Sequence, residues 1–181
     1  ARVEEAYSMM KELAERDELT GLRNRRSGAN RLALENARSS RSSAPFCVAI
    51  GDIDHFKAFN DLHGHETGDL VLKHVAGAVE RSVRMEDMAA RWGGEEFLIL
   101  LSGDSLPAAL EASDRIRKAV SAEAVTVGTE RLHISMTIGV AEFAKGEPID
   151  ELIARADAAM YKGKAAGRDI VVAAPPPRAR S

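Results

Sequence analysis

Four features are scarce or missing in this 181-residue chain, and each absence closes off a class of protein. A single cysteine, Cys47, excludes an internal disulfide, and none of the five histidines stands at zinc-ligand spacing from it. His55, His63, His65, His74 and His133 are therefore assigned no metal. No apolar run approaches the length that crosses a membrane, and no signal-peptide pattern is visible. Neither charge sign dominates: 25 Lys and Arg stand against 28 Asp and Glu, for a net charge of -3 and a pI near 6.0. That balance speaks against a nucleic-acid binder, although it leaves room for a local basic patch. No internal repeat is present. The expectation is a cytoplasmic protein without nucleic-acid or membrane contacts of its own, and, since the chain starts at Ala1 partway through a helical pattern, a piece of a longer one.

What is present suits one globular domain with appendages: 45% hydrophobic and 29% charged residues suffice for a buried core. Val3, Ala6, Met10, Leu13 and Ala14 recur at helical spacing, which predicts an amphipathic helix up to Arg16. It is either the end of a coiled-coil connector or a helix packed on its own domain. Gly21 marks a bend where Asp17 or Thr20 can cap amides, and a helix follows over residues 27–37. Arg38 to Pro45, with four serines, reads as a solvated loop. Residues 46–50 form an apolar run of strand length that ends in Gly51-Asp52-Ile53-Asp54, with Cys47 as a small core residue. A short helix from His55 to Asp61 and a long one opened by Thr67-Gly68-Asp69 come next. Met88–Trp92 and Phe97–Leu101 read as a hairpin, Leu106–Val120 as a helix, and Ala124–Val127 and Leu132–Phe143 as strands joined at Gly128-Thr129-Glu130. Pro148–Lys164 reads as a helix, Arg168–Val172 as a last strand, and the proline-rich end as a loose tail. The division expected is a connector helix over 1–16, the main globular domain over 17–172 and a tail over 173–181.

The centre of this order, β-α-β-β-α-β, is a ferredoxin-like plan with an antiparallel-centred sheet of about five strands flanked by helices. In it the first strand lies antiparallel to the second strand of the hairpin. Asp52, at the end of the first strand, is thereby brought to the hairpin turn Gly93-Gly94-Glu95-Glu96. Glycine accepts φ > 0, so Gly93-Gly94 is expected as a two-residue turn, with Glu95 and Glu96 projecting to opposite faces of the strand. Adjacent acids beside a buried strand need a positive partner, and a divalent cation is the leading candidate.

Five motifs now stand in order: Asp17-x-Leu19-Thr20-Gly21-Leu22-x-Asn24-Arg25-Arg26, Asp52-x-Asp54-x-Phe56-Lys57-x-x-Asn60-Asp61, Gly64-His65-x-x-Gly68-Asp69, Gly93-Gly94-Glu95-Glu96-Phe97 and Lys164-x-x-Gly167-Arg168. With them the chain resembles the GGDEF family of diguanylate cyclases over nearly everything from Asp17 to Ile170. The resemblance implies a palm-like, nucleotidyl-cyclase-like α/β domain that condenses two GTP into cyclic di-GMP and releases two pyrophosphates. It also implies a homodimer, because each domain holds one GTP, and the role of output domain in a bacterial signalling protein.

By the same resemblance, Asp52, the carbonyl of Ile53 and Glu95 bind magnesium or manganese, two ions per site. Glu96 is a further ligand or a group near the reacting 3′-hydroxyl. Asn60 and Asp69 read guanine, and Gly93 and Gly94 admit the triphosphate. Lys164, Arg168 and the amides of Phe56 and Lys57 meet phosphates, while His65 lines the nucleotide pocket. Arg84-Met85-Glu86-Asp87 matches the family's RxxD inhibitory site for cyclic di-GMP, which Arg115 completes. The chain departs from the pattern in carrying Glu95 where the family name has Asp, and Asp169 where Asn is usual. Two rival readings are a catalytically silent receptor for GTP or cyclic di-GMP, and a cyclase of other nucleotide preference. Asn60 and Asp69 argue for guanine.

Overall fold

Strand β1 (Phe46–Ile53) is buried at every residue except Asp52, which is half-buried. The computed structural model that establishes this describes residues 4, 10 and 14–177. A strand buried on both sides belongs at the middle of a sheet covered on both faces, and its sequence reads as a continuous apolar run. On one side β1 pairs antiparallel with β3 (Glu96–Ser102), on the other with β6 (Met136–Glu142). β2 (Met88–Arg91) and β7 (Val171–Ala173) complete the order β2-β3-β1-β6-β7, in which only β6 and β7 run parallel.

The two faces carry separate cores. Cys47, Ala49 and Ile53 point to α3 (His65–Ser82) and α4 (Leu106–Ala122), meeting Val71, Val75, Ile116 and Val120. Phe46, Val48 and Ile50 point to α1 (Arg25–Ser42) and α5 (Ile149–Ala165), meeting Leu32, Leu152 and Met160. Truncating Leu32, Ile50, Ile53, Ile116 or Leu152, all fully buried, to alanine costs about 2–5 kcal/mol. A short helix, α2 (Phe56–His63), connects β1 to α3 through Gly64. Among the described residues, no helix is long and apolar enough to cross a membrane.

The mixed α/β plan with a five-stranded, mostly antiparallel sheet is therefore as expected, with four local corrections. α1 runs to Ser42, so most of the expected serine loop is helical. Ser39 is buried and donates to the Ala44 carbonyl at 2.7 Å, and Glu35 is buried between Arg31, Arg38 and Ser102. The expected strand from Leu132 to Phe143 is two elements. β4 (Val125–Val127) and β5 (Glu130–Leu132) form their own hairpin, and β6 starts at Met136. Between them the Ser135 carbonyl accepts from Asp54 N–H at 2.9 Å, which turns the chain into the main sheet. β7 begins at Val171, because Arg168 and Asp169 are left-handed, with φ of 66° and 47°. Lastly, the glycine turn spans residues 92–95 and neither Gly93 nor Gly94 has positive φ.

Asn24 ties the domain to the segment before it. Its Oδ1 accepts from Ser27 N–H at 3.0 Å, capping α1, while its Nδ2 donates to the Ala14 carbonyl at 2.8 Å. The apolar face expected over residues 3–16 lies for the most part outside the described residues.

Candidate active site

The register of β1 on β3 sets Asp52 directly opposite Glu96, and Ile53 N–H donates to the Glu95 carbonyl at 3.3 Å. Two motifs more than forty residues apart are joined here by ordinary sheet pairing. Glu95 lies in the turn and Glu96 opens the strand, so the expected alternation of the two along a strand does not apply. The turn closes through Trp92 N–H and Gly93 N–H, both donating to the Glu96 carbonyl at 2.7 and 3.2 Å. The two glycines are not equivalent. A Cβ on Gly93 would come within 2.5 Å of Glu96 Oε2, whereas one on Gly94 would meet nothing within 4 Å. Gly93 is small to make room for a side chain of its own turn, and Gly94 faces open space.

Lys164, from the last turn of α5, delivers its ammonium to this spot. It ion-pairs with Asp52 Oδ1, donates to the Ile53 carbonyl at 3.3 Å and lies 3.8 Å from Asp54 Oδ1. Burial raises the pKa of Asp52 against the opposing pull of Lys164, and Asp54 and Asp157 add to the rise. Glu95 is raised by burial and then by Asp52. Glu96 is raised by burial and then by Asp52 and Asp157. Three carboxylates thus share too little positive charge. Glu96 also borders a hollow of about 270 Å³ lined by Arg25, Trp92, Ile153 and Asp157.

Asp54 has a different task. It is buried, accepts from Ser135 Oγ and Thr137 Oγ1 at 2.7 Å each, and accepts from Asp169 N–H at 3.0 Å. Its lone pairs are committed to joining β1, β6 and the turn after α5.

Among the described residues no three His, Cys, Asp or Glu side chains stand close enough to enclose a metal ion. Magnesium does not require that. It commonly takes one or two carboxylates and fills its octahedron with water and phosphate oxygens. Asp52, Glu95 and the Ile53 carbonyl fit such a partial set, and an ammonium already rests on two of these three groups.

The other expected site residues fall around this centre. Asn60 lies on α2 against Gly68 of α3, where its Oδ1 is buried without a hydrogen-bond partner. Asp69 and His65 are exposed on the first turns of α3. Phe56 and Lys57 occupy the first turn of α2, where helical N–H groups have no intrahelical acceptor. Arg168 is half-buried in the turn that Asp54 holds. Arg84 and Asp87 are separate from the centre, before β2. Both Asp87 oxygens are occupied, one by Arg84 N–H at 2.9 Å and one by Ser102 N–H at 3.1 Å, while burial raises its pKa. Arg84 pairs with buried Asp104 at 3.2 Å, and Arg115 donates to the Ser82 carbonyl at 3.4 Å.

Sequence reasoning assigned no role to Asp54, Arg91 or Asp157. Asp157 precedes Lys164 by seven residues, two helical turns, so spacing alone places it on the same face of α5. Arg91 carried no such signal. Its partner Asp17 is 74 residues away.

The family model described as "Diguanylate cyclase, GGDEF domain" matches residues 14–170. Over 153 residues the chain is 42% identical to diguanylate cyclase DgcP of Pseudomonas aeruginosa, covering 84% of this chain and 23% of that protein. It is 40% identical over 164 residues to response regulator PleD of Caulobacter vibrioides, covering 89% and 36%. The chain thus spans well under half the length of these relatives. It also superposes with a TM-score of 0.90 on the coiled coil and GGDEF domain of DgcB from Caulobacter crescentus, solved in complex with c-di-GMP. That match is 34% identical and covers 96% of this chain and 92% of the other.

Proposed function

Because the chain belongs to the GGDEF-domain family of diguanylate cyclases, we propose that it condenses two GTP molecules into cyclic di-GMP, releasing two pyrophosphates. The observation that carries this reading is the pairing of Asp52 with Glu96 across β1 and β3, with Glu95 and the Lys164 ammonium at the same spot. Magnesium, two ions per site on Asp52, Glu95 and the Ile53 carbonyl, would supply charge neutralisation at the attacking and leaving oxygens of the α-phosphate. Glu96 is either a further ligand or a group beside the 3′-hydroxyl.

The chain's own groups bind and orient the nucleotide. The side-chain amide of Asn60 is a polar group suited to guanine, and exposed Asp69 accepts from the N–H edge of that base. Adenine lacks that donor pair. Gly94 leaves its backbone open to the triphosphate. Lys164, Arg168 and the first amides of α2 meet the phosphates, and His65 borders the pocket. Each domain holds one GTP, so two domains must face one another for the second bond to close. Cyclic di-GMP, once made, inhibits from Arg84, Asp87 and Arg115. The domain acts as the output end of a longer signalling protein.

Incubation with magnesium and either GTP or ATP, with products identified by mass, tests the reading. Cyclic di-GMP and pyrophosphate from GTP alone are expected. No turnover at any protein concentration would overturn it in favour of a silent receptor.

A further inference from the structure

Arg168 and Asp169 are consecutive non-glycine residues in the left-handed region, at φ 66° and 47°, directly after Gly167 at φ 130°. Such backbone persists only where its surroundings over-determine it. Here they do. Arg168 N–H donates to the Gly163 carbonyl at 3.0 Å, and Asp169 N–H donates to Asp54 Oδ2 at 3.0 Å and to Thr137 Oγ1 at 3.1 Å. The Asp169 carboxylate is held from elsewhere: its Oδ1 accepts from Arg117 Nη1 at 2.7 Å. Arg117 belongs to α4, on the opposite face of the sheet from α5, and its own orientation is set by Asp114, which accepts from Nε at 2.9 Å. Only 17% of the Arg117 side chain is exposed. The turn that leaves α5 is therefore held at the Arg168 amide by α5 itself, at the Asp169 amide by Asp54 and Thr137 beside the site, and at the Asp169 carboxylate by a helix behind the sheet.

We propose that Arg117 is a positioning residue for phosphate binding: by holding Asp169 it keeps Arg168 in its left-handed conformation beside the Asp52–Asp54 end of β1. The proposal rests on the reading that Arg168 meets the β- and γ-phosphates. Without the guanidinium, the Asp169 carboxylate loses its anchor and only the amide bonds hold the left-handed pair, so Asp169 and Arg168 shift part-way toward the broad regions that L-residues favour. Lysine is a poor substitute, since a point charge cannot grip Asp114 and Asp169 together as a planar fork does.

The test is direct binding in magnesium buffer of two probes, a non-reacting GTP analogue with methylene between its α- and β-phosphorus atoms, and GMP, which lacks both outer phosphates. Arg168→Ala is expected to weaken the analogue about tenfold, the scale of one charge-assisted contact. Arg117→Ala should weaken the analogue several-fold and leave GMP unchanged. The double variant should bind the analogue no more weakly than Arg168→Ala alone, because the two residues act through one contact. Arg117→Lys should show the same analogue-selective loss, and it carries the test should the alanine variant fail to fold. Equal losses for analogue and GMP, full additivity in the double variant, or an Arg117 variant without effect where Arg168→Ala has one would overturn the proposal. An Arg168→Ala variant that binds the analogue normally would remove the phosphate role of Arg168 and the proposal with it, while cyclic di-GMP synthesis by the unaltered chain would stand untouched.

Discussion

Arg91 joins the entrance of the domain to its glycine turn: Nη1 lies 3.2 Å from Asp17 Oδ1, and Nη2 donates to the Gly94 carbonyl at 2.8 Å. Asp17 also accepts from Thr20 N–H and Oγ1, at 2.9 and 2.7 Å. Burial would raise its pKa, but the Thr20 bonds and the Arg91 charge outweigh it and the net shift is downward. Asp17→Asn should therefore lower stability by about 1–3 kcal/mol in urea titration at pH 7, the range for a partly buried bond to a charged group. A depressed carboxylate contributes stability above its ordinary value of 3.8 and loses it as pH falls through the folded value, so the gap between variant and parent should close below that pH. A gap that persists unchanged into acid would contradict the assignment.

The two glycines should part company under substitution. Gly93→Ala forces its Cβ against Glu96 Oε2, so it is expected to shift Glu96 and lower turnover even where folding survives. Gly94→Ala meets no atom of the protein. Its melting temperature should match the parent, and any loss should appear only in GTP affinity. Equal melting-temperature losses for both variants would refute this division.

Glu95 and Glu96 are both raised by burial and by Asp52. Removing one charge relieves that repulsion, so Glu95→Gln and Glu96→Gln should fold with unchanged or greater stability. The same changes should cut turnover by about 10²-fold or more, the scale of losing a charge that holds a catalytic cation. Calorimetry beside a pyrophosphate-release assay reads both quantities, and a destabilised Glu95→Gln would show that its charge is needed for the fold.

At the RxxD stretch the two named residues make unequal probes. Asp87 holds Arg84 N–H and Ser102 N–H, so Asp87→Ala should cost about 1–3 kcal/mol of stability whatever it does to ligand binding. The guanidinium of Arg84 is half-exposed and paired only with Asp104 among the described residues. Arg84→Ala takes the counter-charge from buried Asp104, so it should also lower the melting temperature, and the folded variant should bind cyclic di-GMP about tenfold or more weakly by calorimetric titration. Unaltered affinity would rule out inhibition through this site.

Burial, followed by the charges of Glu142 and Asp104, pushes the Cys47 thiol up to about 12. Native protein at pH 8 should resist a thiol-reactive dye that labels the urea-unfolded chain at once. A raised thiol pKa also means that stability falls as pH climbs above 9.0, where the unfolded chain gives up its proton first. Rapid labelling under native conditions would place Cys47 outside the core.

Much of this protein was legible in one dimension because the governing interactions are local. Continuous apolar runs located β1 and β3, helical patterning located helices, and the element order alone implied that the end of β1 meets the glycine turn. Asp52 opposite Glu96 follows from that antiparallel pairing. The family motifs added the nucleotide. What patterning could not supply was the division of labour among like residues. Asp52 and Asp54 look interchangeable in sequence, yet one lies half-buried under Lys164 while the other is consumed by Ser135, Thr137 and the Asp169 amide. Gly93 and Gly94 read as one turn, and only the packed site separates the glycine that makes room for Glu96 from the glycine that faces outward. Arg91 with Asp17 and Arg117 with Asp169 are ion pairs across 74 and 52 residues. A strand or helix is determined by its neighbours along the chain, whereas the partner of a charge is whichever opposite charge the finished packing brings within hydrogen-bond reach, and no spacing in the sequence records that choice.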